Sequence, residues 1–161
     1  MKADSEIGLR YKVQQEGAAC VITGAEPARR QRDLVIPSRI GGVPVIGIEE
    51  GAFRGVFDLC RLTFPGDSGV LAIDDLAFEG CTSLMTVVFP PKLECIGLQS
   101  FNGCRSLAAV NLPRTVRSVG ANAFSGCDSV TDVTGHAIAV AIVQVQLRSP
   151  RVAILREYHP S

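Results

Sequence analysis

The sequence predicts a β-rich solenoid, a right-handed coil of about four to five repeats, each roughly 23–28 residues long, with short parallel strands and one-turn helical segments. Three observations carry this prediction. Phe53, Phe78, Phe101 and Phe124 recur at intervals of 25, 23 and 23, and each is followed two places on by Gly55, Gly80, Gly103 or Gly126. Pro37, Pro65, Pro90 and Pro113 recur at 28, 25 and 23. Cys81, Cys104 and Cys127 recur at 23 and 23. A fixed period of this size marks units that bury a core only by stacking on one another.

Each element of the unit follows from its residues. Before the prolines, Leu34/Ile36, Leu62/Phe64, Val87/Phe89 and Val110/Leu112 stand two apart, as on a strand with one buried face. The proline ends that strand because it has no N–H for the ladder. A second extended piece follows, Leu93-Glu94-Cys95-Ile96, and Gly97 turns the chain. Leu98 to Cys104 then reads as one helical turn closed by a glycine of positive φ. Parallel strands joined by such long crossovers wind right-handed.

Departures from the repeat are also informative. Val56 takes the cysteine position in the second unit, and Cys60 falls where Met85 and Ala108 sit. Asp74 stands in place of the turn glycine read at Gly47, Gly97 and Gly120. The pattern stops after Val133-Thr134, with no proline beyond. This divides the chain into a solenoid over 1–134, made of a cap (1–33) and repeats (34–134), and a divergent C-terminal cap or tail over 135–161. Periodicity leaves open whether Ala137 to Leu147 forms a strand pair or a helix.

Composition narrows the function classes. Sixteen basic and sixteen acidic residues give a formal net charge of zero, so no chain-wide field favours nucleic acid or an anionic membrane. The charge is nonetheless segregated: residues 49–91 carry two basic and seven acidic groups, residues 92–161 seven and four. The longest apolar run, around Ala137 to Leu147, is too short to span a bilayer. The segment from Met1 to Gly8 has no apolar stretch and does not read as a signal peptide, which leaves a cytoplasmic protein open. Both histidines, His136 and His159, lie beyond the repeats, which argues against a His-based metal cluster or a serine-type triad in the body.

No constellation points to an enzyme, a metal or a cofactor. The Cys81/Cys104/Cys127 column reads as small buried filler, reduced rather than bridged. Cys20, Cys60 and Cys95 have no Cys-x-x-Cys partner. Glu49-Glu50 and Asp74-Asp75 occupy matching places without the spacing of a calcium loop or a glycosidase. The Arg29-Arg30-Gln31-Arg32 cluster reads as a solvated loop, and Gly41-Gly42 as a turn without phosphate-loop context. What remains is the outward face of the main strand ladder: Arg61, Thr63, Thr86, Val88, Ala109, Asn111, Asp132 and Thr134, with Asp33 and Val35 before them. These residues are not demanded by the core, so they form a candidate protein-binding face.

The consensus written by this chain is Ile-Gly-x-x-Ala-Phe-x-Gly-Cys-x-Ser-Leu-x-x-Val-x-Leu-Pro, and Gly103 to Pro113 followed by Val116 to Gly120 fits it closely. It resembles the BspA-like leucine-rich repeats of bacterial surface proteins from about residue 9 to residue 134. By the same resemblance, Tyr11 to Val13 and Ala19 to Gly24 look like the opening strand pair of such arrays, and Val35 to Val45 like a first repeat. The resemblance implies a cell-surface or secreted module that binds a protein ligand of the host-matrix or microbial-surface kind, in adhesion and virulence. The alternative is a structural spacer within a larger surface protein.

Overall fold

The computed structural model describes residues 2–4, 8–14, 17–25 and 32–147. Arg29, Arg30, Gln31, His159 and the tail from Arg148 lie outside the described residues. The chain is a β-solenoid of about four turns with mostly parallel strands and one short helix.

The opening strands β1 (Lys2–Asp4), β2 (Leu9–Gln14) and β3 (Ala19–Ala25) form an antiparallel meander. In the first repeat, β4 (Asp33–Val35) leads into a small hairpin of β5 (Arg39–Ile40) and β6 (Val43–Ile48). Gly41 and Gly42 make its turn with φ of 56° and 81°, the double positive φ that a two-residue hairpin of this hand requires. From there two strands recur per repeat. The pre-proline strands are β7 (Arg61–Thr63), β9 (Thr86–Val88), β11 (Ala109–Asn111) and β13 (Asp132–Thr134). The second extended pieces are β8 (Ala72–Ile73), β10 (Cys95–Ile96) and β12 (Ser118–Val119).

The pre-proline strands stack in parallel as β4-β7-β9 and β11-β13, with Leu34, Leu62 and Val87 in register below and Val110 opposite Val133. Between β9 and β11 the stack continues through the Ala108 N–H to the Met85 carbonyl, 3.2 Å. The second pieces extend the opening meander into one sheet, ordered β1-β2-β3-β6-β8-β10-β12. The meander therefore caps the first rung by pairing β3 in parallel with β6.

A third column of rung-to-rung bonds runs through the segments read as helical turns. They are runs of tight turns, with N–H groups bonded three residues back, such as Arg54 to Gly51 and Val56 to Phe53. Alternate N–H groups point instead to the next rung: Phe53 to the Ala77 carbonyl at 2.8 Å, Phe78 to Ser100 at 2.7 Å, and Phe101 to Ala123 at 2.8 Å. Gly80, Gly103 and Gly126 close these turns at φ of 72°, 74° and 71°, as expected. A second left-handed column lies two residues before each Phe: Gly51, then Leu76 (58°), Gln99 (52°) and Asn122 (56°).

The turn-glycine alignment needs correction. Register pairs Ile48 with Ile73, Ile73 with Ile96 and Ile96 with Val119, so the residue aligned with Asp74, Gly97 and Gly120 is Glu49. Gly47 lies inside β6, opposite Ala72. Stacking dictates glycine in the later rungs: a Cβ on Gly97 would come within 2.5 Å of Asp74 C, and one on Gly120 within 2.5 Å of Gly97 C.

The core follows the columns. The four repeat phenylalanines are fully buried and stack face to face, with ring centroids 5.1, 5.2 and 5.3 Å apart. Phe89 meets Phe101 edge-on at 5.6 Å. Each such side chain contributes about 1.5–3 kcal/mol by burial.

At the far end, residues Ala137–Leu147 form the helix α1, which resolves the choice left open by periodicity. Its Ala139, Val140 and Val143 are buried against the last rung. Phe124 has no further rung to receive its N–H. The Gln146 side chain takes that place: its Oε1 accepts from Phe124 N at 3.0 Å, and its Nε2 donates to the Gly120 carbonyl at 2.8 Å. One side-chain amide thus stands in for the peptide group of a missing repeat.

Candidate functional site

The pre-proline ladder presents one exposed face. In β4 and β9 the pattern is exposed, buried, exposed, and β13 repeats it. Arg61, Thr86, Val88, Asn111, Asp132 and Thr134 are exposed, while Thr63 and Ala109 are half-buried. The strand phase read from the sequence is therefore the one in the structure. All eight expected residues lie on this face, in two columns: Arg61/Thr86 and Ala109/Asp132, then Thr63/Val88 and Asn111/Thr134. The Thr134 hydroxyl donates to Asn111 Oδ1 across the rungs, 2.9 Å. Val35 and Val88 keep 57% and 48% of their surface exposed, so each presents an apolar side chain on this face.

Two further exposed apolar side chains lie next to the ladder strands in the chain and were not singled out from the sequence. Met85, the residue before β9, is 52% exposed, and Phe57, on the loop leading to β7, is 70% exposed. The signal was available: Phe57 aligns with Thr82, Arg105 and Asp128, so the repeat does not require an apolar residue there. Arg61 and Asp132 have no ion pair among the described residues, whose two salt bridges are Lys12–Glu49 and Arg54–Glu79, both 2.6 Å.

The other candidate groups have structural roles. Each repeat cysteine donates its S–H to the Phe carbonyl of the preceding rung: Cys81 to Phe53 at 3.3 Å, Cys104 to Phe78 at 3.4 Å, Cys127 to Phe101 at 3.2 Å. This explains Val56, since the first such rung has no preceding Phe carbonyl to satisfy. Burial pushes the Cys81 thiol up to about 12. The hydrogen bond with Cys127, then burial, drives Cys104 strongly upward. Both thiols thus stay protonated and unreactive at neutral pH. All six cysteines are free thiols, with Cys95 exposed and Cys60 half-buried.

The acidic pairs border an open groove of about 530 Å³ beside the second sheet, lined by Glu50, Asp74, Asp75, Cys95, Leu98 and Ser118 among others. Asp75 ties two rungs together, its Oδ1 accepting from the Leu98 N–H of the next rung at 2.7 Å. Burial, then the neighbouring Asp75, Glu49 and Glu50, raises the Asp74 carboxyl above its ordinary range. Among the described residues no group of three or more His, Cys, Asp or Glu is placed to hold a metal ion. Nor is any described helix long and apolar enough to cross a membrane.

Comparison with known proteins agrees with this geometry. In fold, the chain is similar to a leucine rich repeat protein of T. pallidum, at 28% identity and a TM-score of 0.62, covering 82% of this chain and 71% of that one. A leucine-rich repeat protein from Bacteroides capillosus gives a TM-score of 0.67 at 20% identity, over 81% of this chain and 95% of that one. No curated protein matches the chain in sequence. The sequence model of the BspA type leucine rich repeat region matches residues 39–142 in six copies, and on that match the chain belongs to the BspA type leucine rich repeat family.

Proposed function

We propose that this chain is a non-catalytic protein-binding module whose contact surface is the exposed ladder face from Arg61 to Thr134. One contrast supports the reading. Beneath the surface, Leu34, Leu62, Val87, Val110 and Val133 form a uniform buried column; above it, the residues on either side vary in charge, size and polarity. A rigid stack with a uniform interior and a variable strand face is a platform on which recognition is tuned without disturbing the core. The surface or secreted location and the adhesive role implied by the family resemblance belong to the same proposal, with a host-matrix or microbial-surface protein as partner.

Val88→Arg combined with Asn111→Arg tests it. Both positions are exposed, so thermal stability is expected to stay at the wild-type level while binding to immobilised matrix proteins falls. Binding unchanged in the folded double variant would move the contact surface elsewhere. A chain that serves only as a spacer would show no retained partner sensitive to these substitutions.

A further inference from the structure

We propose that the acidic groove beside the second sheet is the seat of this chain's own segment after α1, residues 148–151, with Arg148 and Arg151 set against Asp74, Asp75 and Glu50. The inference is independent of the ladder face and concerns the other sheet.

The groove crosses four rungs, from Glu50 after β6, through Asp74 and Asp75 after β8, to Ser118 and Gly120 on the last. Gly97, Gly120, Cys95 and Ser118 line it with small side chains or none, which leaves room for an occupant. The three charged residues that line it, Glu50, Asp74 and Asp75, are all acidic, and among the described residues none of them is in an ion pair. The cations nearby serve elsewhere. Lys12 is paired with Glu49 at 2.6 Å. Arg10 lies against Gly24 beside the Ala52 carbonyl, at the first rung. Arg117 stands outside the lining, on the rung next to Glu94, to whose carbonyl its N–H donates at 2.8 Å. Consistent with uncompensated charge, burial and the carboxylates of Asp75, Glu49 and Glu50 all act to raise the Asp74 carboxyl.

Residues 148–161 hold the complementary charge: Arg148, Arg151 and Arg156 against one acid, Glu157. The structure fixes where this segment begins. Leu147 packs against the core, and the Gln146 Nε2 donates at 2.8 Å to the carbonyl of Gly120, itself a groove residue. The segment therefore starts at the last rung of the groove. Asp74 and Asp75 lie two rungs from there and Glu50 three, roughly 10 and 14 Å at about 4.8 Å per rung. The four residues 148–151 reach about 13 Å when extended, so both arginines fall within side-chain reach of the acidic wall. Pro150 then passes Leu98, a groove wall left 41% exposed. The other basic stretch, Arg29 to Arg32, joins β3 to β4 and is tethered to the first rung at both ends, so it does not run along the groove. Exposed charges are screened by salt, so ionic strength releases the segment and uncovers Cys95.

Cys95 is an exposed thiol in the groove and reports the occupant directly. Its labelling by iodoacetamide, an uncharged reagent, is followed on the full chain by mass spectrometry. In the wild type the rate is expected to be low at low salt and to rise at least ~5-fold in about 0.5 M salt. R148E combined with R151E should label at least ~5-fold faster than the wild type at low salt and respond less to salt. Removing two cations would by itself raise the thiol pKa and slow the reaction, so faster labelling reports uncovering. R148K combined with R151K should keep the wild-type rate and salt response. Unlabelled Cys81, Cys104 and Cys127 in the same spectra show that the fold is intact. A wild type that labels as fast as the glutamate variant, a rate indifferent to salt, or a lysine variant that behaves like the glutamate one would each overturn the proposal. Protection of Cys95 that grows with protein concentration would give the groove to the segment of a second copy, and would overturn it too.

Discussion

Gln146→Ala removes the side-chain amide that ends the solenoid. Two hydrogen bonds are lost, one at 3.0 Å from the Phe124 N–H and one at 2.8 Å to the Gly120 carbonyl. A typical intramolecular bond is worth about 0.5–1.5 kcal/mol net, and a buried donor left without a partner costs about 1–3 kcal/mol. The Gly120 end is only half-buried, so water replaces part of that bond, whereas the Phe124 side chain is fully buried. Alanine's slightly better helix propensity offsets a few tenths of a kcal/mol. The expected loss is about 2 kcal/mol, or about 4–8 °C in Tm for a domain of this size. Urea denaturation gives the free energy, and hydrogen exchange at the Phe124 amide gives the local effect. Gln146→Leu, which keeps the volume, should cost a similar amount, separating hydrogen bonding from packing. A loss under about 0.5 kcal/mol with unchanged protection at Phe124 would refute the idea that this side chain substitutes for a rung.

Phe101→Ala should cost about 3–5 kcal/mol, because the ring is stacked on both faces and met edge-on by Phe89; a variant as stable as the wild type in denaturant would contradict the register. A thiol reagent under native conditions should label Cys95 first and spare Cys81, Cys104 and Cys127 until denaturant is added; mass spectrometry reads the order, and a mapped disulfide within the column would contradict it. Ser100→Ala should stabilise by about 1 kcal/mol, since the Ser100 hydroxyl is buried without a partner where Ala52, Ala77 and Ala123 stand in the other rungs; equilibrium unfolding checks the sign. Asp74→Asn should stabilise at neutral pH: the raised carboxyl pKa means that folding disfavours the charged form, a penalty present above the folded pKa and relieved as pH falls through it. Unfolding measured at neutral and at acid pH should show the advantage of the variant shrinking on acidification.

The sequence alone determined the repeat, the strand phase and the buried columns. The reason is physical: in a stacked array each core position sees the same neighbours in every rung, so the same residue type recurs at 53, 78, 101 and 124 and can be read without coordinates. The exposure of Arg61, Val88 and Asp132 followed from the same alternation. Only the tertiary structure decided what depends on contacts between rungs or at the ends. The carbonyls that accept the cysteine S–H groups belong to the preceding turn. The left-handed backbone of Leu76 and Gln99 is held by stacking, against their own preference, so no glycine marks it. The turn position at Glu49 was legible in the spacing, four residues before Phe53 as Asp74, Gly97 and Gly120 are before Phe78, Phe101 and Phe124; it was passed over because it is not glycine, while Gly47 nearby is. Residues 137–147 are apolar in every direction, so their periodicity is silent; they became a helix because the last rung needed a cover, and Gln146 because one N–H needed an acceptor.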